Sequence, residues 1–150
     1  VDNNQKPLPI LHLCEELLAT AYSKSDQSAI GTYAESCPSH EAMDKRMLEL
    51  STAVDEVFLK IKQCSNMHQV RTLVKKQSIE LKFFIFQRLL WVVTFCRKSG
   101  TESIAVSSEK PIPFAFAEAI SSLSSGAINS AAKNGMSLSG MSARMIEDYD

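Results

Sequence analysis

The sequence predicts an all-α protein, an antiparallel up-down bundle of four principal helices with a long central third helix. Apolar residues recur at helical spacing along most of the chain, and one stretch sustains a heptad seam for about three heptads. The prolines lie between these stretches or in a first turn. With 150 residues, 45% hydrophobic and 22% charged, the chain suits one folded domain, which excludes collagen-like, low-complexity and wholly disordered readings. Residues 1–133 are expected to form the helical bundle domain. Residues 134–150, with three methionines and an acidic end, are expected to be a partly ordered tail.

The first helix is predicted between Leu8 and Ser23, where Ile10, Cys14, Leu17 and Ala21 share one row and Leu11, Leu18 and Tyr22 the next. Lys24 to Pro38 is polar and small, and reads as a connection with at most a helical turn around Ala29 to Ala34. Ser39 is placed to cap the second helix, its hydroxyl accepting from a backbone N–H that the first turn leaves unpaired. From there Met43, Met47, Leu50, Val54, Val57, Ile61 and Cys64 follow at gaps of four and three, the seam of a single long helix.

Asn66, with Gln69 three residues on, opens the third helix, read as continuous to about Lys98 because no Gly or Pro interrupts it. Its first half is amphipathic, with Val70, Leu73, Val74, Gln77 and Leu81 on one face. From Phe83 to Phe95 apolar residues occur all round, as expected of a central element. Strands at FFIF and LLWVV are the structural rival, because aromatic and β-branched residues favour them. Gly100 to Pro113 reads as a loop. Phe116, Ile120, Leu123, Ala127 and Ala131 then share a face of a fourth helix whose serines leave it dependent on packing.

Cys14, Cys37, Cys64 and Cys96 are widely spaced, with no C-x-x-C pair, so free thiols in an intracellular setting, cytoplasmic or nuclear, are expected. The polar start and the lack of an Asn-x-Ser/Thr acceptor agree with that reading, and the chain, opening on Val1, reads as a piece of a longer protein. Leu81 to Cys96 is too short for a bilayer span and contains Lys82 and Arg88, so no transmembrane helix is expected. His12, His40 and His68 fall at equal intervals, but their surroundings do not match and no repeat is read.

The formal net charge of −1 conceals a segregation: residues 67–98 hold seven Lys/Arg against one acid, while residues 1–38 and 99–150 are each acidic on balance. Arg71, Lys75 and Lys82 are predicted on one side of the third helix, opposite its apolar face. Such a stripe suits phosphates or an acidic peptide, but a solvated face paired with the acidic flanks explains it as well. Arg88 falls within the apolar arc of Val74, Leu81, Phe84, Trp91, Val92 and Phe95 and needs a carboxylate, with Glu15, Glu16 and Glu118 as candidates. That makes it either half of a buried ion pair or a site for an acidic partner. Leu48 and Leu59 form a second apolar edge on the second helix, covered by another helix or open for docking.

Chemistry finds little support. His12-x-Cys14 is a weak metal motif without a second ligand pair, and no P-loop, H-E-x-x-H or nucleophile elbow occurs, so no cofactor, metal or catalytic residue is predicted. Gly135 to Gly140 fails the spacing of a serine elbow, and FQRLL at Phe86 to Leu90, although similar to L-x-x-L-L docking helices, sits in a core-like run. Twelve serines between Ser99 and Ser142 offer phosphorylation sites without selecting one. The expectation is a non-catalytic protein–protein interaction module, regulatory or scaffolding, docking a partner helix or peptide through Leu48, Leu59, Arg71, Lys75 and Lys82. The alternatives are nucleic-acid or anionic-membrane binding through the basic face, an apolar-ligand carrier around Phe83, Phe86, Leu90 and Trp91, and an enzyme with a dispersed site. A homodimer is equally compatible with the heptad seam.

Overall fold

Side-chain caps set where most of the helices begin. The computed structural model describes residues 5–133, with side chains to residue 124. Ser39 Oγ accepts from Ala42 N at 3.1 Å and Asn66 Oδ1 accepts from Gln69 N at 2.9 Å, so both predicted caps are present. Two further caps change the architecture. Ser23 Oγ accepts from Asp26 N at 3.0 Å while Asp26 Oδ2 accepts from Ser23 N at 3.1 Å, a reciprocal capping box. It opens a helix, Lys24–Ser36, where the sequence predicted a connection. The polar composition hid this element, which is held by its cap and by Ile30, Tyr33 and Ala34 against the core. Ser78 Oγ accepts from Leu81 N at 3.3 Å and starts a new helix inside the predicted long third one.

The described residues form β1 (Gln5–Leu8), α1 (Ile10–Thr20), α2 (Lys24–Ser36), α3 (His40–Glu49), α4 (Ser51–Lys62), α5 (Met67–Lys75), α6 (Ile79–Ser99), β2 (Ile104–Ser107) and α7 (Ile112–Lys133). The protein is therefore mostly helical, with seven helices described where four principal ones were predicted. The second predicted helix divides at Leu50, where the backbone turns to φ −96° and ψ 0°. Its seam survives the break: Met43, Val54, Val57 and Ile61 are buried, and Met47, Leu50 and Cys64 pack against the core. The third divides at residues 76–78, and the long central element is α6 alone. FFIF and LLWVV lie inside α6, so the strand alternative fails. Gly100, at φ 71°, ends α6 in the left-handed region that glycine enters without steric cost.

β1 and β2, neither of them predicted, pair antiparallel with Leu8 opposite Ile104 and Gln5 opposite Ser107. Leu11 N donates to Glu102 O at 3.2 Å, tying the start of α1 to the chain leading into β2. These strands are too short for alternation to stand out, and Pro7 in β1 masks it further.

α6 is central because apolar residues cover its whole circumference; it packs against α1, α2, α4 and α7. The Tyr22 and Phe86 rings lie 5.1 Å apart and Glu15 pairs with Arg97 at 2.8 Å, so α1 runs antiparallel to α6. On another flank Arg46 pairs with Glu80 at 2.6 Å and Asp55 with Arg88 at 2.9 Å, so α3 and α4 run parallel to it. Phe116 and Ile120 are fully buried on α7, as predicted. The predicted tail, and Ala127 and Ala131 as side chains, lie outside the described residues. No described helix is long and apolar enough to cross a membrane.

Candidate functional site

The helical wheel that placed Arg71, Lys75 and Lys82 on one side assumed a continuous helix, and the break at residues 76–78 resets its phase. Lys82 is buried, its ammonium 3.2 Å from Asp26 Oδ1, and so does not belong to an exposed basic face. Tyr22 Oη donates to the Lys82 carbonyl at 3.1 Å, closing α1, α2 and α6 around the pair. Arg71 is engaged as well. Its Nε donates to Thr20 Oγ1 at 3.0 Å, and its Nη2 lies 3.5 Å from Glu16 Oε1. These groups, with Leu13, Leu17 and Met67, line a recess between α1 and α5 of about 10 Å³, room for one water. Lys75 is exposed and makes no ion pair among the described residues. The predicted three-residue stripe is thus reduced to Lys75 and its neighbour Lys76.

Arg88 does find a carboxylate, but the partner is Asp55 of α4 rather than Glu15, Glu16 or Glu118. Those three pair with Arg97, with Arg71 and His12, and with Lys110. Only 18% of the Arg88 side chain is exposed, and its guanidinium lies 5.4 Å from the Phe58 ring centre. The pair occupies the outer rim of the α4–α6 contact, and Arg88 reaches water over the face of an aromatic ring.

Leu48 and Leu59 remain uncovered, with 70% and 55% of their surface exposed. They stand on α3 and α4 on either side of the turn at Leu50, on an outer edge where Thr52 and Asp55 are exposed as well. This edge is held to α6 at both ends. Glu80 accepts from Arg46 Nε at 2.9 Å and Nη2 at 2.6 Å, and also from Tyr33 Oη. These contacts, led by the Arg46 hydrogen bonds, keep the Glu80 carboxyl below the usual carboxylate range despite burial. Residues 49–58 contain Glu49, Asp55 and Glu56 and no Lys or Arg, but Glu49 pairs with Arg46 at 2.9 Å and Asp55 with Arg88 at 2.9 Å, which leaves Glu56 as the acid there without an ion pair among the described residues. Phe95 on α6, 43% exposed and two turns beyond Arg88, adds an apolar group on the same side of α6 as Arg88.

The residues of the weak metal motif do not share a site: His12 is exposed beside Glu16, while Cys14 is buried in the core. No group of three or more His, Cys, Asp or Glu side chains able to hold a metal occurs among the described residues. Phe83, Phe86, Leu90 and Trp91 are buried, and Leu89 with Leu90 places the FQRLL segment in the core. Asp55 and Phe58 were not legible as functional neighbours of Arg88, because the contact joins helices far apart in sequence. The chain matches no family model, no curated protein and no solved structure.

Proposed function

We propose that this chain is a non-catalytic protein–protein interaction module, regulatory or scaffolding, that docks an amphipathic helix from a partner protein along the outer edge of α3 and α4. The observation that carries this reading is the exposure of Leu48 and Leu59 on a rigidly anchored edge. Isolated exposed leucines are ordinary, whereas two on one edge supply the anchors that a helix-in-groove contact uses. Glu56, exposed between them and without an ion pair among the described residues, favours a partner helix carrying Lys or Arg beside its apolar residues. An intracellular setting belongs to this reading. Anion binding through a basic face is less well supported, because Lys82 is buried and Arg71 is engaged.

The test is an NMR titration with two helical peptides, one of Leu and Lys and one of Leu and Glu in the same pattern, preceded by light scattering across a range of concentrations. The expected result is a monomer whose amide shifts move along residues 45–62 with the Lys peptide, and a folded Leu48→Asp, Leu59→Asp variant that loses the response. A stable dimer abolished by the same substitutions, equal binding of both peptides, or shifts confined to other elements would reject this site.

A further inference from the structure

The antiparallel contact of α1 with α6 carries one buried cysteine on each helix. One end of the contact is marked by the Tyr22 and Phe86 rings, 5.1 Å apart, and the other by Glu15 and Arg97, paired at 2.8 Å. Cys14 immediately precedes Glu15 and Cys96 immediately precedes Arg97, so in antiparallel helices they fall on opposite sides of that pair, offset by about 3 Å along the axis at about 1.5 Å per residue. Both thiols are free, and both residues lie fully inside the same core. Glu15 and Arg97 are half-exposed or exposed at the rim, so their neighbours Cys14 and Cys96 are the inward positions of that layer. Helices pack with axes roughly 8–10 Å apart and carry Cα atoms on a radius of about 2.3 Å, so facing Cα atoms are about 3.4–5.4 Å apart across the contact and about 4.5–6 Å apart with that axial offset. That is the range a disulfide spans.

We infer that Cys14 and Cys96 are a disulfide-forming pair, a modification site that locks α1 onto α6. The co-reactant is a low-molecular-weight disulfide of the glutathione class. Cys14, as thiolate, attacks one of its sulfurs, forming a mixed disulfide and expelling one small thiol. Cys96, as thiolate, then attacks Cys14 Sγ and expels the second. The protein loses two protons and two electrons, and the small disulfide takes them up to become two thiols. Burial pushes both thiols up in pKa, and Cys96 adds to the effect at Cys14, so the folded dithiol is inert. Exchange therefore proceeds while α1 is detached, during folding or a transient opening, and the lock then prevents α1 from detaching again. In a reducing compartment the pair stays as the dithiol.

The experiment is refolding of the whole chain from urea in a buffer of reduced and oxidised glutathione, followed by alkylation and peptide mapping. The expected product has Cys14 linked to Cys96, a raised urea midpoint, and slowed amide exchange along α1, all reversed by dithiothreitol. The same glutathione mixture added to folded protein should form the link far more slowly. A Cys37→Ser, Cys64→Ser variant should behave as the wild type, and Cys96→Ser should lose the rise in midpoint. Should either variant fail to fold, the wild-type peptide map decides. Recovery of the native circular dichroism with both buried thiols still alkylatable after denaturation would overturn the inference. So would a Cys14–Cys96 species with a lowered midpoint, or linkage found only at Cys37 and Cys64.

Discussion

Arg88 Nη1 lies 2.9 Å from Asp55 Oδ1, yet the two ends of this ion pair are unequal: 18% of the Arg88 side chain is exposed against 63% of that of Asp55. The carboxylate keeps its water, while the arginine stem and guanidinium pack over Phe58. An exposed ion pair contributes little, whereas the packing and the cation–π contact do not depend on the carboxylate. Asp55→Ala is expected to cost under ~0.5 kcal/mol and Arg88→Ala about 1–2 kcal/mol in urea unfolding. Equal losses would show that the charge pair, not the packing, dominates.

Lys82 and Asp26 make a pair that is buried at both ends, with 9% and 19% of their side chains exposed. Asp26 also closes the capping box with Ser23. Asp26→Ala leaves a buried cation unpaired and removes the cap partner, and should cost about 2–4 kcal/mol. Lys82→Met leaves Asp26 hydrogen-bonded to the Ser23 N–H and should cost about 1 kcal/mol or less. Urea melts of both variants and of the double variant measure the coupling.

Acid should unfold the protein through the same groups. Burial pushes the Asp26 carboxyl up, but the Ser23 backbone N–H and the Lys82 ammonium outweigh it and hold it below its ordinary value; Glu80 is held low by Arg46. A carboxyl with a folded pKa below its unfolded value, about 3.9 for Asp and 4.3 for Glu, stabilises above that unfolded value and loses this as pH falls through the folded one. Stability measured from about pH 7 to pH 3 is expected to drop below about pH 4. Glu80→Gln should be less stable at neutral pH and show a shallower acid slope; an unchanged slope would remove Glu80 from the account.

Gln87 is almost fully buried on α6, and its Nε2 has no hydrogen-bond partner among the described residues. An unsatisfied buried donor costs about 1–3 kcal/mol, so Gln87→Met, similar in volume and without the amide, is expected to stabilise by about 1–2 kcal/mol. A loss of stability on thermal and urea unfolding would show that the amide has a partner in solution, such as a bound water.

Leu48 and Leu59 were legible as a second apolar edge because helical phase is a local property, and the seam from Met43 to Cys64 needed only spacing to be found. The caps at Ser39 and Asn66 were legible for the same reason: donor and acceptor lie three residues apart. Lys82 was misplaced because its phase was carried across residues 76–78, where a Ser cap outweighs the absence of Gly or Pro. Sequence alone thus determined the helical class, the core face of most helices and the exposed leucines, since each depends on residues within a few turns. Only the tertiary structure decided that Arg88 meets Asp55, that Lys82 is buried on Asp26 and that Cys14 and Cys96 share one core on the packed helices α1 and α6. Each of those pairings joins segments tens of residues apart, set by how the α6 surface is shared among its neighbours, and no local periodicity encodes that choice.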